Sequence, residues 1–157
     1  MPRASSQPRS DAQALRRVID VNYNRAIEGL RTVEEIFRFV FVDVTFSDRL
    51  KSLRHSVRIP LAKDGLLFDC IAQRDSDNDI GKAPDAREDL RIDLSDVICA
   101  NLSRVKESLR TLEEILKIID ISKTHAVKAI RFRFYTVEKE IVIWLRNQGR
   151  LCLPNKK

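Results

Sequence analysis

The stretch NRAIEGLRTVEEI, from Asn24 to Ile36, decides the fold, because a close copy of it, SRVKESLRTLEEI, runs from Ser103 to Ile115. In both copies the apolar residues recur at steps of three and four, which is the spacing of an amphipathic helix. The copies also share arginine and glutamate at matching positions, which helix formation does not require. The repeat therefore predicts two equivalent helices and raises the question of why their polar residues match.

The repeat continues into the helix that follows each copy. With a shift of two residues, DVTFSDRLKSLRH (43–55) aligns with DISKTHAVKAIRF (120–132), so that Arg54 matches Arg131. Each unit is then a helical hairpin, and two hairpins with apolar stripes bury them against one another. We expect an all-α bundle with internal pseudo-twofold symmetry, built from two duplicated long helical hairpins with a short helix and a polar loop between them.

Turn-forming segments and the repeat set the expected organisation of the chain. The predicted parts are, in order, a disordered N-terminal tail (1–10), a single helical domain (11–148) and a C-terminal tail (149–157). The domain divides into repeat A (16–60), a connecting segment (61–93) and repeat B (94–140). The connecting segment is expected to hold a short helix (65–73) and then a polar loop (74–93).

Capping residues predict where the long helices begin. Ser10 or Asp11 caps the first helix, which is expected to reach about Val42. Pro60 marks an end or a kink of the second helix. The later helices are expected to start at hydroxyl residues, namely Ser47, Ser95 and Thr124, and the last one to reach about Asn147.

Length and charge limit the classes of protein to consider. The chain has 157 residues, 43% of them apolar, which is enough for one domain with a core. A net charge of +6 favours an anionic partner. No apolar run approaches the roughly 20 residues of a membrane span, and the N-terminus lacks a secretory pattern. Three scattered cysteines (Cys70, Cys99 and Cys152) make a disulfide framework unexpected and a cytoplasmic location expected.

Polar residues follow one flank of each repeated helix. At about 100° per residue, Arg25 and Glu28 lie on this flank, whereas Asn22 falls within the apolar face. The matching residues of repeat B are Asn101, Arg104 and Glu107. The two flanks are expected to face one another across the pseudo-twofold axis, where they would form a polar cleft rich in guanidinium groups.

Ordinary surface ion pairing is the competing interpretation. The spacings of Arg25 and Glu28 and of Arg31 and Glu35 suit helix-surface pairs, worth about 0.2–0.5 kcal/mol each. An asparagine amide left unpaired within an apolar face, by contrast, costs about 1–3 kcal/mol. Because both copies keep the asparagine together with the arginines and glutamates, the pattern favours an anion site.

The loop RDSDNDIG (74–81) carries Asp75, Asp77 and Asp79. An EF-hand is rejected, because the glycine stands two residues after the last aspartate and no bidentate glutamate follows. Two interpretations stay open: a solvated acidic turn, or Mg²⁺ held by one or two carboxylates with the phosphates of a nucleotide completing its shell.

The sequence has neither a GxxxxGK[ST] loop nor a GxGxxG motif, and two histidines are too few for a histidine-rich metal site. Any phosphate must therefore be held by arginine and lysine side chains, helix N-termini or Mg²⁺. The arginines available for this are Arg25, Arg31, Arg54, Arg74, Arg104, Arg110 and Arg131.

An ordered set of motifs resembles a known family. The motifs stand at Asn22–Glu34, Leu50–His55, Arg74–Gly81, Glu88–Arg91 and Ala100–Glu114. Together they resemble a small family of hydroxymethylpyrimidine phosphate kinases of thiamine biosynthesis, a domain often found fused to thiamine-phosphate synthase. The resemblance implies ATP-dependent conversion of 4-amino-5-hydroxymethyl-2-methylpyrimidine phosphate to its diphosphate, with ATP and Mg²⁺ required.

The resemblance leads to a hypothesis for each candidate residue. The arginines expected to act in catalysis are Arg25, Arg31, Arg104 and Arg110. The residues expected to bind substrate or phosphate are Asn22, Asn101, Arg54, Arg131, Arg74 and Lys51. The carboxylates expected to hold Mg²⁺ or to position the arginines are Glu28, Glu107, Asp75 and Asp79.

Two other functions are compatible with a basic helical bundle. A chorismate-mutase-like enzyme also holds a dianion with arginines, and a basic helical adaptor binds an acidic partner or nucleic acid. Interleaved arginine and glutamate on the same helices weaken attraction to a phosphate backbone. We therefore expect a small phosphorylated pyrimidine as the partner and neither nucleic acid nor membrane, and the oligomeric state is left open, with a homodimer as one alternative.

Overall fold

Amphipathic helices account for most of the chain that the computed structural model describes, which is residues 10–81 and 91–150. The helices are α1 (Asp11–Phe39), α2 (Val44–Ala62), α3 (Leu66–Ala72), α4 (Leu94–Ile119) and α5 (Ile121–Asn147), with a 3-10 turn (Lys63–Gly65) between α2 and α3. Within these ranges there is no strand, so the expected all-α bundle is confirmed. None of the helices described there is both long and apolar enough to cross a membrane.

Some predictions lie outside the described residues. These are the tail before Ser10, residues 82–90 of the polar loop, which include Glu88, and residues 151–157, which include Cys152. The bounds of the domain and of its two repeats also remain predictions.

The long helices form two hairpins that pack against each other. α1 packs on α2 and α4 packs on α5, while α1 and α4 form the largest contact between the hairpins and α2 lies against α5. The core between them contains fully buried side chains from all four helices, such as Val33, Leu53, Leu109 and Phe134. Two repeated apolar stripes thus bury each other, as the repeat predicts.

α1 and α4 approach closely at Gly29. A Cβ atom placed on Gly29 would lie 2.8 Å from Cγ2 of Val105 and 3.1 Å from the carbonyl oxygen of Asn101. The absence of a side chain at this position therefore permits the close approach of the two helices here.

The helix starts predicted at hydroxyl residues are wrong, because aspartates cap the helices instead. The carboxylates of Asp43, Asp93 and Asp120 accept hydrogen bonds from the amides of Phe46, Asp96 and Ser122 at the starts of α2, α4 and α5. Aspartate and serine are nearly equivalent N-caps, so propensity does not choose between them. The expected caps lie inside the helices and are buried, namely Ser47, Ser95 and Thr124.

Two other boundaries also differ in detail. Ser10 caps α1 as expected, but α1 ends at Phe39 rather than about Val42, and Val42 takes a φ of 54° in the turn that follows. Pro60 lies inside α2, which continues to Ala62. The short helix α3 lies within the predicted range 65–73.

Candidate functional site

A buried glutamate in repeat A accepts hydrogen bonds from two of the predicted arginines. Glu34 of α1 is 2% exposed. It accepts hydrogen bonds from Nε of Arg54 on α2 at 2.8 Å and from Nη1 of Arg31 at 3.4 Å. Arg31 also pairs with Glu35 at 2.8 Å, the surface pair that its spacing suggests.

Repeat B has the same arrangement. Glu113 of α4 is 3% exposed, and it accepts hydrogen bonds from Nε of Arg131 on α5 at 2.7 Å and from Nη1 of Arg110 at 3.1 Å. Arg131 also donates to the hydroxyl of Tyr135 at 2.9 Å, and Arg110 pairs with Glu114 at 2.7 Å. Arg54 and Arg131 therefore tie the two helices of each hairpin together through a buried carboxylate, while Arg31 and Arg110 contact that carboxylate from its own helix. The expected roles of these arginines in catalysis and phosphate binding remain predictions.

The two repeated asparagines satisfy their amides within their own helices. Nδ2 of Asn22 donates to the carbonyl oxygen of Val18 at 2.9 Å, and Nδ2 of Asn101 donates to that of Val97 at 2.8 Å. The desolvation cost that made them candidates for ligand binding is offset in this way. Their predicted contact with substrate remains a prediction.

A cavity lies between α1 and the segment that follows α3. Its volume is about 590 Å³, and it is bounded by the first half of α1 and by the segment after α3. The lining residues are Ala14, Arg17, Val18, Asp20, Val21, Asn24, Arg25 and Glu28 of α1, and Arg74, Asp75, Ser76 and Asp79 of the segment. Among the described lining residues none comes from the corresponding flank of α4, so this cavity is not the expected cleft between both repeated flanks, and that cleft remains a prediction.

Asp20 and Arg74 form the firmest polar contact in this cavity. Both carboxylate oxygens of Asp20 accept from Arg74, Oδ2 from Nε and Oδ1 from Nη2, each at 2.7 Å. The hydrogen bond and charge of Asp20 raise the pKa of Arg74 above its ordinary value. Asn24 donates to Oδ1 of Asp20 at 3.3 Å, so the carboxylate is held from two sides.

Arg25 and Glu28 behave differently from the paired arginines. Both are exposed, both line the cavity, and neither side chain has a hydrogen bond or ion pair with any described residue. Their guanidinium and carboxylate groups are therefore available to a ligand. Arg104 and Glu107 in repeat B are also exposed but do not line the cavity, and neither does Lys51 on α2.

The segment after α3 brings two of the predicted aspartates to the cavity. The side-chain carboxylate of Asp75 accepts a hydrogen bond from the side-chain amide of Asn78 at 2.9 Å. The backbone carbonyl of Asp75 accepts one from Arg17 at 3.3 Å. Asp79 accepts from the backbone N–H of Gly81 at 2.9 Å. In the part of the chain described, no three or more histidine, cysteine, aspartate or glutamate side chains are placed to hold a metal ion by themselves.

Asp20 was missed in the sequence analysis, although a signal was present. It follows Ile19 on the buried side of α1, where an acidic residue needs a partner. Its counterpart in repeat B is Cys99, 79 positions later, the same offset that relates Asn22 to Asn101. Cys99 is disulfide-bonded. The repeat therefore differs where the cavity forms.

The fold and this cavity define a duplicated all-helical domain with a charged pocket of the size that small molecules occupy. Within that class, the chain belongs to the ThiD2 family, whose pattern matches residues 17–140. No solved structure matches the chain.

Several curated relatives carry the name thiamine-phosphate synthase. The protein from Rhodopirellula baltica is 36% identical over 133 residues, covering 84% of this chain and 35% of the relative. The protein from Synechocystis sp. is 40% identical, and the match covers 82% of this chain and 36% of the relative. The protein from Thermosynechococcus vestitus is 37% identical, and the match covers 87% of this chain and 38% of the relative. The chain thus spans a little over one third of the relatives it matches.

Proposed function

We propose that this protein acts in thiamine biosynthesis as an ATP-dependent phosphotransferase, which converts 4-amino-5-hydroxymethyl-2-methylpyrimidine phosphate to its diphosphate. Membership of the ThiD2 family and likeness to thiamine-phosphate synthases support the pathway. The observation that most directly supports this reaction concerns Arg25. Its guanidinium lines the cavity and has no partner among the described residues.

The chemistry of the reaction suits this set of side chains. The attacking oxygen belongs to a phosphate monoester and is already ionised near neutral pH, so little general-base assistance is needed. The main barrier is the approach of two polyanions, which calls for charge neutralisation and in-line positioning. Arg17, Arg25 and Arg74 line one cavity and can supply both.

The carboxylates of the cavity fit a divalent cation. Four acidic residues, Asp20, Glu28, Asp75 and Asp79, accompany the three arginines, so the lining is not a simple basic patch. Mg²⁺ is commonly bound by one or two carboxylates together with waters and substrate phosphates. Glu28, Asp75 and Asp79 would provide such oxygens, and the bound ion would neutralise phosphate charge.

The proposed reaction is tested by measuring ADP formation with purified protein, ATP and Mg²⁺. We expect ADP to form with the pyrimidine phosphate and not with the unphosphorylated hydroxymethylpyrimidine alcohol. A mutase or an adaptor protein would form no ADP with either compound. Failure to release ADP with the phosphate, under conditions where the protein shows its full helical signal, would overturn the proposed function.

A further inference from the structure

Asp20 is a buried carboxylate at the edge of the cavity. The residue is 5% exposed, whereas the side chain of its partner Arg74 is 46% exposed and lines the cavity. A buried carboxylate thus holds an accessible guanidinium. Arginine has five N–H donors, and Asp20 uses one on Nε and one on Nη2. The remaining donors of Arg74 have no hydrogen-bond partner among the described residues and can meet oxygen atoms of a ligand.

The position of Arg74 in the chain explains why such a contact is needed. Arg74 lies two residues beyond the end of α3, in a segment without regular structure. Helical packing does not orient a side chain there, whereas the paired hydrogen bonds to Asp20 restrict both its position and its plane. Asp20 itself is placed by α1, next to the fully buried Ile19.

We propose that Asp20 is a positioning residue, which holds the guanidinium of Arg74 in the orientation that binds a phosphoryl oxygen of the ligand. This inference rests on the proposed function, because it assumes a phosphorylated ligand in the same cavity. Asp20 acts through Arg74 and does not touch the ligand.

Simple electrostatics and positioning predict opposite effects for the loss of the Asp20 charge. If only net charge matters, Asp20→Asn removes one negative charge from the cavity and tightens anion binding. If orientation of Arg74 matters, the same change weakens binding, because an amide cannot accept both hydrogen bonds in the way that a carboxylate does. The sign of the change therefore separates the two explanations.

The test combines kinetics with a double-mutant cycle. Steady-state ADP formation is measured for the wild-type protein, Asp20→Asn, Arg74→Ala and the double variant, with Asp69→Asn as an exposed control for loss of a carboxylate. We expect Asp20→Asn to raise KM for the pyrimidine phosphate by about tenfold, which is the loss expected for one hydrogen bond to a charged group. In the Arg74→Ala background the same change should have no further effect on KM. Asp69→Asn should match the wild-type protein.

A binding measurement keeps this inference separate from the proposed reaction. Calorimetric titration of each variant with the pyrimidine phosphate, and with inorganic pyrophosphate, needs no turnover. If the wild-type protein forms no ADP but binds either probe with the expected dependence on Asp20 and Arg74, the reaction is overturned and the positioning role stands. If ADP forms and Asp20→Asn shows unchanged or tighter binding, the positioning role is overturned and the reaction stands.

The remaining outcomes also decide the question. No ADP formation together with no binding of either probe overturns both proposals. An effect of Asp20→Asn that persists undiminished in the Arg74→Ala background shows a merely structural role. Should Asp20→Asn fail to fold, Arg74→Lys tests the same pair from its exposed side, because lysine keeps the charge and loses the paired geometry. A KM unchanged in Arg74→Lys would then overturn the proposal.

Discussion

Arg54 donates from Nε to the buried carboxylate of Glu34 at 2.8 Å, and this contact joins α2 to α1. Arg131 and Glu113 repeat it between α5 and α4 at 2.7 Å. The repetition of Glu34 as Glu113 and of Arg54 as Arg131 is thus explained by the packing of each hairpin. If one member of such a pair were lost, the other would be left as a charge without compensation. This gives a structural reason for both copies to keep the pair.

The first prediction concerns the stability that these pairs provide. Arg131→Ala should lower the free energy of unfolding by about 3–5 kcal/mol, because it leaves Glu113 buried without its main partner. Urea unfolding followed by far-UV circular dichroism measures the change. Arg58→Ala is the matched control, since Arg58 is exposed and without a partner in the described residues, and it should shift the free energy by less than about 0.5 kcal/mol. Equal midpoints for the two variants would contradict the prediction.

The second prediction separates the two repeats by activity. Arg25 and Arg104 occupy matching positions of the repeat and are both predicted to act in catalysis, but of the two only Arg25 lines the cavity. Arg25→Ala should therefore lower kcat/KM for ADP formation by about tenfold or more, through loss of a group that neutralises phosphate charge. Arg104→Ala, at the same position of the repeat and also exposed, should keep activity within about twofold of the wild-type protein. Similar losses in both variants would favour a site shared by the two repeats.

The third prediction concerns Cys70, a fully buried thiol near Asp20. Burial raises its pKa from 9.0 to about 11, with the charge of Asp20 adding to the shift and that of Arg16 opposing it. The folded state therefore holds the thiol proton more tightly than the unfolded state does. This contribution to stability is complete below the unfolded pKa and is lost as the pH rises through the folded value.

The measurement for Cys70 is the free energy of unfolding at about pH 8 and pH 10, in the wild-type protein and in Cys70→Ala. The wild-type protein should lose about 1 kcal/mol more than the variant over this range. Other groups that titrate in alkali contribute equally to both proteins, so the difference isolates the thiol. Parallel pH profiles would show that the thiol is not shifted.

The sequence could predict the fold better than the site, and the reason is physical. Helical periodicity is local, so the stripe containing Ile19 and Val33 identifies a core face without knowledge of its partner. The contact between Asp20 and Arg74 spans 54 residues and depends on how α3 lies against α1. Arg25 was found because it repeats, whereas Asp20 was missed because its counterpart is Cys99. A search for repeated residues cannot find a site where the repeat differs.

The fourth prediction tests the close approach of α1 and α4 at Gly29. Alanine should gain about 0.8–1.0 kcal/mol of helix propensity over glycine, but its Cβ would lie 2.8 Å from Cγ2 of Val105, and overpacking costs about 1–3 kcal/mol. Gly29→Ala should therefore lower the midpoint of urea unfolding. Val105→Ala removes the clashing methyl group, so the double variant should be more stable than the sum of the two single effects. If the effects of the two single changes simply add in the double variant, the helices can move apart to accommodate the new methyl group. Gly29 then does not set their spacing.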